Sequence, residues 1–244
     1  AEIYWLGRFP GVRTSTAAQV ARIFAAGAPG VSDEDYLLTS DADMFPLGPW
    51  VGGAADPTRD LHLYYANAYD QREYPHYPMC YVGARAGVWR EVVGKGELPG
   101  LDVADLRKDI RAFAGVLAFT LSRAPEDAAG AWNYDERLLG GMIAAWQEDA
   151  GRARIQEISR TFAEGEWRVD RSDWEGALAE AEKRGSLAGF ADAHLLRPGY
   201  TEENWLRVRR LLRMALSPED LAWVDDYREM WVRAEASGEK ERTS

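Results

Sequence analysis

Two aspartates separated by one residue follow a short apolar run in the segment YLLTSDADMFPL, residues 36–47. Residues 36–40 predict a buried strand, and Pro46 indicates a turn just beyond the aspartates. In extended chain, residues i and i+2 point the same way, so Asp41 and Asp43 present two carboxylates to one place. Because like charges repel, we expect a cation between them.

A hard divalent cation, Mg²⁺ or Mn²⁺, is the natural partner of this pair. Such ions take carboxylate oxygens, keep several waters and bridge to substrate phosphates. In open α/β sheets, ligands bind outside the carboxyl ends of strands, where Asp41 and Asp43 are expected. The alternative interpretation is a solvated acidic turn after a strand.

Two later segments contain further candidates for chemistry. In AWNYDERLLGG, residues 131–141, Asp135 begins a predicted helix, where the helix dipole favours the anion, and Glu136 follows it. From its position alone, Asp135 could serve only as a helix cap. DAHLLRPGY, residues 192–200, contains His194, one of three histidines in the chain, and a lone histidine is more often structural.

Strands alternating with helices must position these residues, and this pattern predicts an α/β fold with a mixed central sheet and a helical C-terminus. Helical spacing of apolar residues predicts four helices, and Ser217 followed by Pro218 predicts the start of a fifth. The predicted strands cover residues 2–6, 36–40, 61–66, 78–84, 153–158 and 166–170. The predicted helices cover residues 14–27 and 103–121, a segment that starts near Asp135, a segment around 205–215, and a segment that starts at Ser217.

Composition limits the classes of function. The chain has 244 residues, 46% of them apolar, and a net charge of −11, so it can bury a large core but lacks the basic clusters of a nucleic-acid binder. No apolar run approaches the roughly 20 residues of a membrane span. One cysteine fits a cytoplasmic location. We expect one domain over residues 1–235 and a disordered tail over 236–244.

The segment YLLTSDADMFPL, with QVARIFAAGAPGVSDEDYLL leading into it, resembles the metal-binding D-x-D motif of GT-A-fold glycosyltransferases. The resemblance implies a single GT-A-like, Rossmann-like domain in which Asp41 and Asp43 hold Mn²⁺ or Mg²⁺ against the diphosphate of a nucleotide sugar. It also implies donor binding by Gln19, Ala42 and Arg197.

Three more segments resemble parts of the same superfamily. AWNYDERLLGG is similar to the acidic motif under the acceptor site, which implies that Asp135 deprotonates the acceptor hydroxyl with Glu136 beside it. DAHLLRPGY resembles the late motif whose histidine completes the metal site. This implies that His194 is a neutral imidazole ligand and that Asp192 orients its other nitrogen. YPMCYVGARAGVW, residues 77–89, resembles the central strand between donor and acceptor, and the acceptor residues implied are Tyr81, Gly83 and Trp132.

The resemblance implies transfer of a sugar to a glycan or another hydroxyl acceptor. Only about 40 residues precede the D-x-D motif, where the family normally has two strand units, so part of the nucleotide pocket is expected N-terminal to this chain. Two alternatives stay open: a haloacid-dehalogenase-like phosphatase, although Phe45 is not the Thr or Val expected there, and a non-catalytic sugar-binding protein on the same fold.

Overall fold

The structure, a computed structural model, describes residues 9, 12–48, 55–66, 76–95, 117–118, 120–121, 133–150, 154–158, 167–199 and 201–237. The predicted strand 2–6, Trp132 and most of the predicted helix 103–121 lie outside these residues, as does the end of the predicted tail. In chain order the elements are α1 (Thr14–Ala21), a 3₁₀ helix (Arg22–Gly27), β1 (Tyr36–Leu38), β2 (Met44–Pro46), β3 (Leu61–Tyr64), β4 (Val82–Arg85), α2 (Ala86–Gly94), α3 (Tyr134–Ala150), β5 (Ile155–Ile158), β6 (Trp167–Val169), α4 (Trp174–Arg184), β7 (Phe190–His194), α5 (Glu202–Ala215) and α6 (Pro218–Ala236).

The protein is α/β, with mixed sheets and a helical C-terminus, as the sequence predicted. The chain forms two compact units: the first comprises Ala1–Asp41 and Ala54–Thr161, and the second comprises Ala42–Gly53 and Phe162–Ser244. Compact units need not be independently folding domains, so the single domain over residues 1–235 stays a prediction.

The first unit is built on a four-stranded sheet with the order β1-β4-β3-β5. β4 is antiparallel to both of its neighbours, and β3 runs parallel to β5. The apolar stripe predicted on the first helix, Val20, Ile23 and Phe24, is fully buried in the core of this unit. The helix changes to 3₁₀ geometry at Arg22 and ends at Gly27, which is a common way for an α-helix to tighten at its end.

The second unit is built on a three-stranded sheet with the order β2-β7-β6. β2 pairs antiparallel with β7, and β6 pairs parallel with it. Trp174, Leu178 and Phe190 belong to the core under this sheet. The described strands therefore form two sheets, where the sequence predicted one central sheet.

Four elements were not predicted. β2 has three residues and β7 has five, and strands this short show little periodicity from which to predict them. α2 directly follows β4 without a Gly or Pro breaker between them. α4 carried a readable signal, because Trp174, Leu178 and Ala181 have helical spacing and Gly185 ends the helix in the left-handed conformation at φ 64°.

Within the described residues, no helix is both long enough and apolar enough to cross a bilayer.

Candidate functional site

Arg22, Asp41 and Asp135, which we call the Arg22 cluster, meet within the first unit. Arg22 opens the 3₁₀ helix, Asp41 follows β1, and Asp135 is the second residue of α3. The Arg22 guanidinium donates to Asp41 Oδ1 at 2.5 Å and, through Nε, to Asp135 Oδ2 at 3.1 Å. It also donates to the Ser40 carbonyl at 3.2 Å. The Arg22 side chain is thus hydrogen-bonded both to the first aspartate of the D-x-D motif and to the predicted base.

Burial and the neighbouring charges have opposite effects on the pKa of Arg22. Burial by itself would lower the pKa of Arg22, but the carboxylates of Asp135 and Asp41 outweigh that effect and raise the pKa above its ordinary value. Asp135 is only 1% exposed. Its Oδ2 accepts hydrogen bonds from Arg22, while its Oδ1 is buried and accepts no hydrogen bond from any described residue. Oδ1 is therefore the atom of Asp135 that could take up a proton.

Glu136 contacts a buried histidine beside this cluster. His76 Nε2 lies 2.5 Å from Glu136 Oε2. Burial raises the pKa of Glu136, although the hydrogen bond from His76 acts in the other direction. A carboxyl with a raised pKa has the property that a general base near neutral pH requires, so Glu136 is the second acid–base candidate.

Asp43, Asp170, Arg171, His194 and Arg197 form a second polar cluster, the His194 cluster, within the second unit. Antiparallel pairing of β2 with β7 sets it up, because Met44 lies opposite His194 and the Leu195 N–H donates to the Asp43 carbonyl at 2.8 Å. His194 Nε2 lies 3.2 Å from Asp43 Oδ2, and His194 Nδ1 lies 3.4 Å from Asp170 Oδ2.

Two arginines neutralise Asp43 in this cluster. Arg171 Nη2 donates to Asp43 Oδ2 at 3.1 Å, and the Arg197 guanidinium contacts the same oxygen. Burial, aided by the charge of Arg171, lowers the pKa of His194 even though Asp43 and Asp170 act to raise it. A lowered pKa favours the neutral ring, which is the form that binds metals.

The donor set at Asp43 fits one side of a divalent metal site. Asp43 Oδ1 is buried and has no hydrogen-bond partner among the described residues, so it offers a ligand oxygen beside the His194 imidazole. Asp192 was predicted to lie at Nδ1 of His194, but Asp170 occupies that position. Asp192 instead accepts two hydrogen bonds from Arg168, at 2.6 and 2.8 Å.

The D-x-D motif is divided between the two clusters. Asp41 belongs to the first unit and Asp43 to the second, with only Ala42 between them in sequence. In the described part of the chain, no group of three or more His, Cys, Asp or Glu side chains is arranged to hold a metal ion. The shared site of Asp41, Asp43 and His194 stays a prediction.

The predicted donor residues differ in their surroundings. Gln19 is half-buried on α1, Ala42 is exposed in the turn after Asp41, and Arg197 belongs to the His194 cluster. Donor binding by these three residues stays a prediction.

The predicted acceptor residues are placed in the interior where they are described. Tyr81 is buried against Tyr64 and Tyr65, with ring centroids 6.4 Å away in each case. Gly83 lies in β4, where an added Cβ would come within 2.2 Å of the Tyr36 hydroxyl. Packing gives both residues a structural role, and Trp132 lies outside the described residues. Acceptor binding stays a prediction.

Arg22, Asp170 and Arg171 were missed in the sequence, although each had a signal. Arg22 is a charged residue directly before Ile23 in the apolar stripe of the first helix, a position that is seldom charged without a buried partner. Asp170 and Arg171 follow β6, so the strand-end rule that singled out Asp41 applies to them as well.

Comparison with protein-family models, with curated protein sequences and with solved structures gives no match. The functional interpretation therefore rests on the residues and geometry of the Arg22 cluster and the His194 cluster.

Proposed function

We propose that this protein is a metal-dependent glycosyltransferase, which moves a sugar from a nucleotide-sugar donor to a hydroxyl acceptor. The observation that carries the proposal is the contact of His194 Nε2 with Asp43 at 3.2 Å, beside a buried carboxylate oxygen without a partner among the described residues. These two residues are 151 positions apart, and the two motifs that contain them both resemble ligand segments of the same superfamily.

In this proposal Asp43 Oδ1 and the neutral His194 ring hold Mn²⁺ or Mg²⁺, and Asp41 is the third predicted ligand. The metal, when bound, stabilises negative charge that builds on the leaving diphosphate. Arg171 and Arg197 already lie at Asp43 and supply positive charge for the same anion. Asp170 keeps the ring of His194 in place from its other side.

Asp135 would act as the general base. The acceptor hydroxyl loses its proton to Oδ1, its oxygen bonds to the anomeric carbon, and the bond from that carbon to the diphosphate breaks, which inverts the configuration. Arg22 holds Oδ2 and so fixes the orientation of the carboxylate. Glu136 is the alternative base, because burial raises its pKa.

The metal role is tested by thermal shift with Mn²⁺, with and without nucleoside diphosphates. A ligand that binds only the folded state raises the melting temperature by mass action. We expect a rise for the unchanged chain and none for Asp43→Asn, which keeps the shape but loses the charge. Glu180→Gln, at a half-exposed acid of α4 away from the His194 cluster, is the control. An equal Mn²⁺ response in Asp43→Asn would overturn the site.

The base role is tested by donor turnover. Asp135→Asn should lower turnover by about 10²–10⁴-fold, the usual contribution of a general base, while metal and donor binding persist. Glu136→Gln is the comparison. A fully active Asp135→Asn enzyme, with Glu136→Gln inactive, would move the role to Glu136.

A non-catalytic sugar-binding protein is the second candidate, and the Arg22–Asp135 contact favours it. A carboxylate paired with arginine in the interior can serve structure alone. Donor binding without turnover would select this candidate. A phosphatase would instead release phosphate from a phosphoester. A cytoplasmic location belongs to both sugar-related proposals, in keeping with a single, buried cysteine.

A further inference from the structure

One face of the long helix α6 presents aromatic and apolar side chains to solvent. Trp223, Tyr227, Met230 and Ala234, which we call the α6 stripe, are spaced at i, i+4, i+7 and i+11 and so share one side of the helix. Trp223 is 66% exposed, Tyr227 49% and Met230 59%. The Trp223 and Tyr227 rings stack with centroids 5.6 Å apart.

A different face of α6 packs on its own unit. Leu221 and Val224 pack against the core of the second unit, and Asp225 accepts two bonds of 2.7 Å from Arg209 of α5. The stripe is therefore not needed to hold α6 in place. Contiguous exposed apolar surface of this kind marks an interaction site.

The charge of α6 excludes two classes of occupant. The helix contains six acidic and two basic residues, a net charge of −4. An anionic membrane surface and nucleic acid both need clustered positive charge. The occupant must therefore offer an apolar surface and at least some positive charge of its own.

A second copy of the same helix, running antiparallel, offers the same apolar stripe. Its net charge is also −4, but it presents an exposed arginine, Arg233, at the edge of the stripe. A two-fold axis that crosses α6 midway between Arg228 and Glu229 places Trp223 opposite Ala234 of the second copy and Tyr227 opposite Met230. A large side chain then faces a small or flexible one in every pair, so the two stripes can interdigitate. Over the 11 residue-to-residue steps from Trp223 to Ala234, the stripe runs for about 16 Å.

The charges at the edge of the stripe fit the same arrangement. Asp226 and Arg233 lie seven residues apart, on one edge of α6, and Arg233 pairs only with Glu229 at an exposed position, 2.9 Å away, among the described contacts. Antiparallel pairing reverses the order of the residues, so Asp226 of each copy lies near Arg233 of the other. We propose that the protein forms a two-fold symmetric, antiparallel homodimer through the α6 stripe.

The test is sedimentation velocity of the full chain from about 1 µM to about 1 mM, the range in which small interfaces associate. The unchanged chain should move from monomer to dimer. Trp223→Glu should raise the dimer dissociation constant by about 30-fold or more, as expected when a charge replaces a large aromatic side chain of an interface. Val232→Ser, an exposed apolar residue on the other side of α6, is the matched control and should have no effect. Circular dichroism checks that each variant is folded.

Charge exchange tests the direction of pairing. Asp226→Arg alone places two arginines together and should weaken the dimer, whereas Asp226→Arg combined with Arg233→Asp should restore it. A chain that is monomeric at about 1 mM would overturn the proposal, and so would a dimer that is insensitive to Trp223→Glu. A dimer whose Asp226→Arg form is not rescued by the second exchange would overturn the antiparallel arrangement.

Discussion

The Arg22→Met variant should unfold at a much lower denaturant concentration than the unchanged chain. Asp135 is 1% exposed and depends on Arg22 for its charge pairing, so Arg22→Met leaves a buried carboxylate uncompensated. Breaking a buried pair in this way costs about 3–5 kcal/mol. Asp41 is 31% exposed and can return to water, so its share of the loss is at most about 1 kcal/mol.

A double-mutant cycle separates the charge effect from loss of packing. Asp135→Asn alone should cost about 1–3 kcal/mol, because Arg22 keeps Asp41 as a partner. In the Asp135→Asn background, Arg22→Met leaves no buried carboxylate without a partner. Its cost in free energy of unfolding should therefore be smaller, by about 1–3 kcal/mol, than in the unchanged chain. Asp41→Asn, in the same series, should cost about 1 kcal/mol or less.

The assay is urea unfolding followed by both tryptophan fluorescence and circular dichroism. Coincident transitions would justify a single free energy for the first unit, and separate transitions would be fitted one by one. The reasoning fails if Arg22→Met costs under about 1 kcal/mol, or if its cost is the same with and without Asp135.

Three further outcomes are expected. Gly83→Ala should cost about 1–3 kcal/mol in urea unfolding, because the new Cβ comes within 2.2 Å of the Tyr36 hydroxyl, and the cost should largely disappear in a Tyr36→Ala background. Burial raises the pKa of Glu136, so between its ordinary value and the raised value the folded state holds a proton that the unfolded state has lost. Stability should therefore fall as pH rises through that window, and urea midpoints measured at a series of pH values should fall less steeply for Glu136→Gln. Ser217→Ala should lower stability by about 1 kcal/mol, because the Ser217 hydroxyl accepts from the Asp220 N–H at the start of α6, and Ser217→Asn should retain most of it in thermal unfolding by circular dichroism.

Elements with a strong local pattern were predictable from the sequence. The α3 helix begins at Tyr134, next to the predicted Asp135, and α6 begins at Pro218 after a capping serine, because capping and proline preference act within a few residues. The stripe of Val20, Ile23 and Phe24 is buried because helical spacing already places these side chains on one face.

The sequence by itself determined which residues have the chemistry for a site: paired aspartates after a strand, an acid at a helix start and a histidine near the end of β7. Only the tertiary structure decided their partners. Arg22 reaches Asp135 across 113 positions of sequence, and the separation from Asp43 to His194 is longer still. The latter pair depends on the register of β2 against β7, and a strand of three residues leaves no period from which that register could be predicted.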